Sequence, residues 1–182
     1  MAETSKAHDR RVREGFFENY CGGNGIDIGF GGDILCPNCV GWDRVDGDAT
    51  YLEGVSDNSF DFVYSSHCLE HIPDMETALK NWWRILKRGG YLILFLPHRD
   101  LYEKKKDLPS RWSGEHLCYF LPSRDDPPCT VGVLQLLHRA LGMFGVAQLS
   151  VCSAGNVITE PTVHSNGEYS IEAIIQKNKD DY

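Results

Sequence analysis

The stretch "GIDIGFGGDIL", Gly25 to Leu35, places four glycines and two acids around a short apolar core. Its first half has the composition of a short buried β-strand, and Gly29, Gly31 and Gly32 follow that strand directly. Glycine accepts positive φ values and lets the main chain approach a ligand with no Cβ in the way. In open α/β sheets, ligands bind beyond the carboxyl ends of the strands. The stretch therefore predicts a binding loop.

Outward from this loop, strand and helix patterns alternate along the chain. The run "FDFVYSS" at residues 60–66 predicts a buried strand, and "YLILFLP" at residues 91–97 predicts a strand covered on both faces. Between them, an apolar stripe that begins after Pro73 predicts a helix, which Gly89 and Gly90 would end. Strand, helix and strand in this order indicate parallel pairing with right-handed crossovers. The fold class is therefore α/β, with a Rossmann-like, doubly wound sheet.

The length and composition of the sequence predict that residues 1–182 form a single domain. Its 182 residues, 42% of them hydrophobic, can bury one core and are too few for two ordinary domains. Apolar spacing within residues 1–23 predicts an N-terminal helix. Near the other end, residues 130–145 predict a helix that stops near Gly142 or Gly145, and two strand patterns, "VAQLSVC" and "YSIEAIIQK", follow it.

Residues 99–128 form a long and poorly periodic connection, "RDLYEKKKDLPSRWSGEHLCYFLPSRDDPP". A connection of this length inside a compact domain is usually functional or disordered. Its aromatic content favours a function, because disordered segments contain few aromatic residues. Tyr102, Arg111, Trp112 and Tyr119 offer both apolar surface and hydrogen-bonding groups. We therefore expect this connection to be a lid over a substrate.

The charge and the apolar runs of the sequence restrict its partners. Lys and Arg number 18 against 26 for Asp and Glu, which gives a formal net charge of -8. This charge disfavours binding to a long phosphate backbone, so we expect a small-molecule acceptor and no nucleic acid. No apolar run reaches the roughly 20 residues that a membrane helix needs. The sequence therefore predicts no membrane span, and it leaves the oligomeric state open.

The cysteines and the first residues favour a cytoplasmic location. The seven cysteines are an odd number, and the beginning, "MAETSKAHDRR", lacks the apolar core of a secretory signal. Cys36 and Cys39 form a single C-x-x-C pair. Because a structural zinc site needs further ligands, the sequence predicts reduced thiols and no metal.

Four further signals follow the glycine loop in a fixed order. Asp43 stands where a second strand should end, and "GDA", with Asp48 and Ala49, stands near the expected end of a third. "SSHCLEHI" then follows "FDFVY", and "LKRGG" precedes "YLILFLP". Each motif is permissive alone, but their joint order and spacing are specific. The succession resembles the class I S-adenosylmethionine-dependent methyltransferases that act on small molecules, with a type 11-like methyltransferase domain.

The resemblance covers residues 25–97 well and the remainder loosely. It implies S-adenosylmethionine as the cofactor and a mostly parallel, seven-stranded sheet with an antiparallel C-terminal hairpin. In the family, the glycine loop surrounds the methionine part of the cofactor, the acid after the second strand binds the ribose, and "GDA" meets the adenine. The implied cofactor-binding residues are Asp27, Gly29, Phe30, Gly31, Gly32, Asp43, Asp48, Ala49 and Ser65. The chain departs from the family at Asp33, which stands where a third loop glycine is expected.

Other ligands and substrates fit the sequence less well. A dinucleotide site of the G-x-G-x-x-G type would need a glycine where Ile34 stands, and Asp27 would repel a pyrophosphate. The "SSHC" segment lacks the proline motifs by which adenine amino and cytosine C5 methyltransferases are identified. We therefore favour methyl transfer to a small molecule over nicotinamide chemistry and over nucleic-acid methylation.

Histidines are the candidate bases for such a reaction. Attack on the methyl group of a sulfonium is in line, so a base is needed only when the nucleophile carries a proton. His98 and His67 follow strand ends and rank above His116, which lies on the predicted lid. His71 is the least suited of the histidines near the strand ends. Three further histidines have no supporting context in the sequence and are set aside: His8, His138 and His164.

We therefore expect O-methylation of a small hydroxylated acceptor, such as a sugar or a natural-product intermediate. One alternative is N-methylation of a small amine, which needs no protein base because a neutral amine can attack unaided. The other is a protein that binds S-adenosylmethionine without turnover and acts as a partner or regulator. Each histidine could also be a hydrogen-bonded structural residue, since only its geometry reveals its role.

Overall fold

The computed structural model of the chain describes residues 3–178 and has an α/β fold. The helices are α1 (Glu3–Lys6), α2 (His8–Arg13), α3 (Phe16–Tyr20), α4 (Met75–Ile85), α5 (Arg99–Tyr102) and α6 (Val133–Leu141). The strands are β1 (Gly25–Ile28), β2 (Cys39–Trp42), β3 (Phe60–Ser66), β4 (Leu86–Pro97), β5 (Tyr119–Leu121), β6 (Thr130–Gly132), β7 (Gly145–Cys152) and β8 (Ser170–Gln176). None of the described helices is long and apolar enough to span a membrane.

The main sheet confirms the predicted fold class. Its strand order is β2-β1-β3-β4-β8-β7, and β2, β1, β3 and β4 pair in parallel. Strand β8 runs antiparallel to both of its neighbours and forms the predicted C-terminal hairpin with β7. Strands β5 and β6 form a separate, two-stranded parallel sheet.

Within residues 3–178, the main sheet has six strands rather than the seven that the resemblance implies. The missing strand is the one expected to end near Asp48, where the chain instead makes turns. Asp48 Oδ1 accepts a hydrogen bond from the Thr50 amide at 2.7 Å, and the Asp48 carbonyl accepts one from the Leu52 amide. Asp and Gly favour such local bonds over strand pairing, which explains why this acidic, glycine-containing segment does not join the sheet.

Helix α4 begins where the sequence predicts and ends four residues earlier. Asp74 caps it, because its carboxylate accepts a hydrogen bond from the Thr77 amide. The helix was expected to end at Gly89, but Leu86 already pairs with Phe60 as the first residue of β4. The tertiary pairing therefore extends "LKRGG", which the sequence assigned to the helix end.

The two faces of the sheet carry different helices. Helices α4 and α6 cover one face, and α1, α2 and α3 cover the other. The single helix predicted within residues 1–23 is therefore three short helices, of which Gly15 separates the last two with a left-handed φ of 67°. Residues 1–2 of that prediction, like the last four of the predicted domain, lie outside the described residues.

Residues 99–128 pack against the carboxyl ends of β3 and β4. Arg99 is buried, and its guanidinium lies 2.7 Å from a carboxylate oxygen of Asp126. His98 and Phe120 form a β-bridge, and the Leu117 amide donates to the Glu70 carbonyl. This connection is thus held on the side of the sheet where α/β proteins bind their ligands.

Candidate functional site

A cleft of about 620 Å³ lies at the carboxyl ends of β1, β2 and β3. Five of the nine residues predicted to bind the cofactor line it: Gly29, Gly31, Asp43, Asp48 and Ala49. Its far wall is formed by the segment between β3 and α4, which includes His67 and His71. The topology brings these residues together because parallel strands end at the same edge of the sheet.

Asp43 directly follows β2, as predicted, and its carboxylate is held in place. Its Oδ2 accepts a hydrogen bond from the Gly31 amide at 3.1 Å, and its Oδ1 accepts one from the Arg44 amide at 2.8 Å. The carboxylate is half-buried and borders the cleft. Each oxygen keeps a further lone pair for a ligand hydroxyl.

The glycine loop borders a second cavity, of about 360 Å³. Phe30 and Gly32, both predicted to bind the cofactor, line this cavity and not the first. Gly29 borders both cavities at a φ of 74°, and a Cβ there would lie 2.6 Å from Cys68 Sγ, so no other residue fits.

Asp33, which occupies the position of the third loop glycine in the family, makes structural hydrogen bonds. Its carboxylate accepts hydrogen bonds from both the amide and the hydroxyl of Ser5. Asp33 therefore fastens α1 to the glycine loop. Glu3 and Thr4 of α1 consequently line the second cavity beside the loop.

Two predicted cofactor-binding residues face away from the cavities. The Ser65 hydroxyl donates to the Ile28 carbonyl within the sheet. Asp27 is fully buried on the face covered by α1, α2 and α3, and its Oδ2 accepts from the Leu35 amide at 2.9 Å. Alternate residues of a strand face opposite sides of the sheet, so Asp27 points away from the residues next to it in β1. Its hydrogen bond with the Leu35 amide fixes the end of the segment that follows the glycine loop.

Asp27 makes the stability of the cofactor-free protein depend on pH. Burial raises the pKa of Asp27 to about 7, well above its ordinary value, and Arg11 and the Leu35 amide only partly oppose this. The folded protein thus keeps a proton that the unfolded chain releases, so the contribution of Asp27 to the free energy of unfolding should fall as pH rises from about 4 to about 7. The full difference corresponds to about 4 kcal/mol.

Asp27→Asn should flatten this fall, because the amide can still accept from the Leu35 amide and never ionises. Urea unfolding at pH 5 and pH 8 measures the effect as the difference between the two free energies of unfolding. Part of the fall should persist in the variant, because burial also raises the pKa of Glu70 to about 7. An equal pH dependence in variant and wild type would contradict the assignment.

A third cavity, of about 290 Å³, lies at the ends of β3 and β4 beneath residues 99–128. His67, Tyr102 and His116 line it, as do residues that carry no signal in the sequence: Glu3, Glu70, His164 and Tyr169. His164 has no supporting context in the sequence because it lies in the loop between β7 and β8, and only the hairpin brings that loop to the cavity. Tyr102 packs against the rings of His116 and His164, at centroid distances of 5.7 and 5.3 Å.

His67 borders all three cavities. Its φ is 46°, a left-handed conformation that is uncommon outside glycine and is often found at functional sites. Its Nε2 lies 2.8 Å from the Ser170 hydroxyl of β8. Burial lowers the pKa of His67 to about 3, and the neighbouring His116 adds to the effect, so the ring is neutral.

His116 and Glu103 form an oriented pair in the third cavity. The His116 Nδ1–H donates to Glu103 Oε1 at 2.9 Å, and both side chains are buried. Such a carboxylate fixes the tautomer of an imidazole and leaves Nε2 with a free lone pair. Glu70, fully buried, lies with Oε1 3.8 Å from that Nε2.

His98, ranked first among the bases from sequence, lies outside the three cavities. Its Nδ1 accepts a hydrogen bond from the Asp100 amide at 3.2 Å and thereby caps α5. His98 does follow a strand, as predicted. Helix α5 begins at the next residue, however, and the His98 ring caps its N-terminus.

The predicted lid residues differ in what they contact. Only Tyr102 lines a cavity. The Trp112 indole donates to the Tyr102 carbonyl, and the Tyr119 hydroxyl donates to the Asp107 carbonyl, so both hold the connection together. The structure places Arg111 outside the cavities as well, as an exposed residue.

In the structure, the thiol of Cys21 lies beside the Cys36 and Cys39 pair. Cys36 and Cys39 have their sulfurs 3.7 Å apart, and Cys21 also contacts Cys36. Hydrogen bonds from both neighbours hold the pKa of the Cys36 thiol well below its ordinary value. All seven cysteines are free.

Comparisons with known proteins agree with the resemblance to methyltransferases. A model of the methyltransferase domain family matches residues 25–94. The chain is 45% identical to phosphoethanolamine N-methyltransferase 2 of Caenorhabditis elegans over 38 residues, 21% of this chain and 9% of that protein. It is 34% identical to the ubiquinone/menaquinone biosynthesis C-methyltransferase UbiE of Cellvibrio japonicus over 85 residues, 45% of this chain and 30% of that protein. The chain thus covers less than a third of either relative.

Solved structures agree with the sequence match. A SAM-dependent methyltransferase from Methanosarcina mazei superposes with a TM-score of 0.56 at 18% identity, over 91% of this chain and 98% of that chain. At this identity the likeness establishes the fold and leaves the acceptor open. The chain therefore has the fold of the class I S-adenosylmethionine-dependent methyltransferases, and its residues 25–94 match the model of a methyltransferase domain.

Proposed function

We propose that this protein transfers a methyl group from S-adenosylmethionine to a hydroxyl group of a small acceptor. The observation that carries the proposal is the position of His67, at which the cleft, the cavity of the glycine loop and the third cavity meet. A methyl donor and an acceptor need one point where the reacting atoms approach within about 3 to 3.5 Å. His67 marks that point.

The cofactor would fill the first two cavities. Its ribose hydroxyls would bind Asp43, its adenine would lie beside Asp48 and Ala49, and its methionine part would occupy the cavity bordered by Gly29. The ammonium and sulfonium groups suit that end of the site, because Glu3 lines it and supplies a carboxylate.

The acceptor would bind in the third cavity, whose volume of about 290 Å³ fits a small molecule. Tyr102 and Tyr169 provide ring surfaces, and histidines provide hydrogen-bonding groups. Hydroxyl methylation is favoured because the Nε2 lone pair of His116 can receive the proton that the hydroxyl must lose. N-methylation of a neutral amine would not need a histidine to accept a proton.

A labelled-methyl assay tests this proposal. The protein is incubated with 13C-methyl S-adenosylmethionine and matched pairs of small alcohols, phenols, sugars and amines, and the methylated atom is identified by NMR. We expect the label on oxygen. Label found only on nitrogen would establish the N-methyl alternative, and tight cofactor binding without transfer to any acceptor would indicate a binding protein.

Asp43→Ala should weaken binding of S-adenosylhomocysteine about 10-fold to 100-fold. The reason is the loss of charge-assisted hydrogen bonds to the ribose, which are worth about 1.5 to 3 kcal/mol. Isothermal titration calorimetry measures the dissociation constant. Asp9→Ala is the matched control, because Asp9 is an exposed acid outside the three cavities. Equal affinity of Asp43→Ala and wild type would place the ribose elsewhere.

A further inference from the structure

We propose that Glu70, His71 and His116 bind a divalent transition-metal ion, to which the acceptor hydroxyl coordinates. One ligand atom from each of the three residues lies within 4.8 Å of the other two. Glu70 Oε1 is 3.8 Å from His116 Nε2 and 3.9 Å from His71 Nε2. From sequence, only the cysteine pair had the spacing of metal ligands, and this second set depends on the folded connection that carries His116.

The hydrogen bonds of the two imidazoles orient them as metal ligands. His116 donates Nδ1–H to Glu103 Oε1, and His71 donates Nδ1–H to the Glu115 carbonyl at 3.2 Å. In a neutral imidazole whose Nδ1 carries the proton, Nε2 carries a lone pair. Metal-binding histidines characteristically donate their other nitrogen to a carboxylate or a carbonyl in this way. Both Nε2 lone pairs therefore point towards the same carboxylate oxygen.

Glu70 supplies the second, independent observation. The residue is fully buried, and within residues 3–178 no donor of another residue reaches hydrogen-bond distance of either side-chain oxygen. A buried carboxylate without a donor is costly, and facing it with two lone pairs increases the repulsion. A cation between the three atoms removes both costs. His67 approaches the same oxygen from β3, with Nδ1 3.9 Å away, and is a candidate fourth ligand.

The distances require a modest contraction. Ligand nitrogens and oxygens lie about 2.0 to 2.2 Å from zinc, so tetrahedral ligand atoms are about 3.3 Å apart. Small side-chain rotations of Glu70 and of the half-buried His71 ring would bring the three atoms to that spacing. Two imidazoles and a carboxylate suit Zn²⁺, Mn²⁺, Fe²⁺ or Co²⁺, whereas the thiols of Cys21, Cys36 and Cys39 form a separate and softer cluster.

The position of the ion would serve the proposed reaction, and this step rests on the proposed function. Glu70 and His116 line the acceptor cavity, and His71 lines both that cavity and the cofactor cleft. A hydroxyl bound to a metal ion loses its proton more readily. The O–H bond would break with its proton passing to solvent. The new O–CH₃ bond would then form as the S–CH₃ bond breaks, leaving S-adenosylhomocysteine.

Cobalt titration of the full chain tests the site without cofactor or acceptor. The protein is first stripped of metal by a chelator, and Co²⁺ binding is followed by visible absorption and by calorimetry. We expect one equivalent bound with d–d bands of nitrogen and oxygen ligation. Glu70→Gln and His71→Asn should each weaken binding more than the 10-fold to 100-fold expected for Glu103→Gln, which alters only an outer partner.

Two control variants make the result specific. His138→Asn changes an exposed histidine far from the cluster, and the double variant Cys36→Ser/Cys39→Ser removes the thiol pair; both should bind Co²⁺ as wild type does. The proposal is overturned if no stoichiometric Co²⁺ binds, if Glu70→Gln and His71→Asn leave the affinity unchanged, or if thiolate charge-transfer bands appear and vanish in the cysteine variant. His71 is half-buried, so His71→Asn preserves a folded test protein should Glu70→Gln not fold.

The outcome is separable from that of the methyl-transfer assay. Affinity for S-adenosylhomocysteine is measured on Glu70→Gln, because Glu70 lines neither the cofactor cleft nor the cavity of the glycine loop, and it should be nearly unchanged by the loss of metal. A metal site with no methyl transfer would refute the proposed function alone. Oxygen methylation by protein that binds no metal would refute the metal site alone.

Discussion

His116→Ala should lower turnover by about 100-fold to 10,000-fold while leaving the affinity for S-adenosylhomocysteine nearly unchanged. The imidazole is buried in the third cavity, where we propose that the acceptor binds, and Glu103 holds it with Nε2 directed inward. Whether that nitrogen receives the proton or binds the ion, its removal leaves the acceptor hydroxyl unactivated. The cofactor cleft and the cavity of the glycine loop do not contain His116, so cofactor binding should survive.

Single-turnover kinetics on an identified acceptor, with parallel calorimetry, measure this effect. Glu103→Gln should show a smaller loss in the same direction, because Glu103 acts by positioning the imidazole. His138→Ala is the control for a histidine outside the cavities. Near wild-type turnover in both His116→Ala and His67→Ala would exclude activation of a hydroxyl at this cluster and would make methylation of an amine the better account.

Glu172→Leu should reduce the free energy of unfolding by about 3 to 5 kcal/mol, the largest stability effect that we expect. Glu172 of β8 and Arg11 of α2 are both fully buried, with Glu172 Oε1 2.8 Å from Arg11 Nε. Removing the Glu172 carboxylate leaves the Arg11 guanidinium with the Tyr64 hydroxyl, 3.1 Å away, as its remaining hydrogen-bond partner among residues 3–178. A buried charge without its counter-ion is costly, so the N-terminal helices should detach from the sheet first.

A double variant separates lost charge pairing from lost packing. Arg11→Met/Glu172→Leu removes both charges and should recover much of the stability, since apolar replacement of a buried pair is often neutral or stabilising. Arg10 retains Glu168 as a partner at 3.0 Å in either variant. Urea unfolding monitored by circular dichroism gives the free energies. If the double variant is no more stable than Glu172→Leu, the ion pair does not account for the loss.

Local patterns sufficed for most of the sheet. The run "FDFVYSS" has strong β propensity and forms β3 at the predicted residues, and the glycine loop follows β1. Parallel pairing followed from the alternation of strands and helices, and Asp43 was correctly expected at the end of β2. S-adenosylmethionine was identified by motif order, which is a property of the chain and needs no coordinates.

Element boundaries depended on pairing between distant segments. "LKRGG" has a composition suited to a helix end, but pairing of Leu86 with Phe60 draws the segment into β4. Likewise, "GDATYL" forms turns in place of a strand, because Asp48 satisfies nearby amides itself. A local sequence pattern does not show whether a segment will form hydrogen bonds within itself or pair with a distant strand.

The sequence by itself thus determined the fold class, the resemblance to methyltransferases and the edge of the sheet at which the cofactor-binding signals lie, because these depend on periodicity and on residues close together in the chain. Only the tertiary structure decided which histidines meet. His98 caps a helix, whereas His71 and His116, which are 45 positions apart, converge on Glu70. The physical reason is that a side chain acquires its direction, burial and hydrogen-bond partners from segments that a local pattern does not contain.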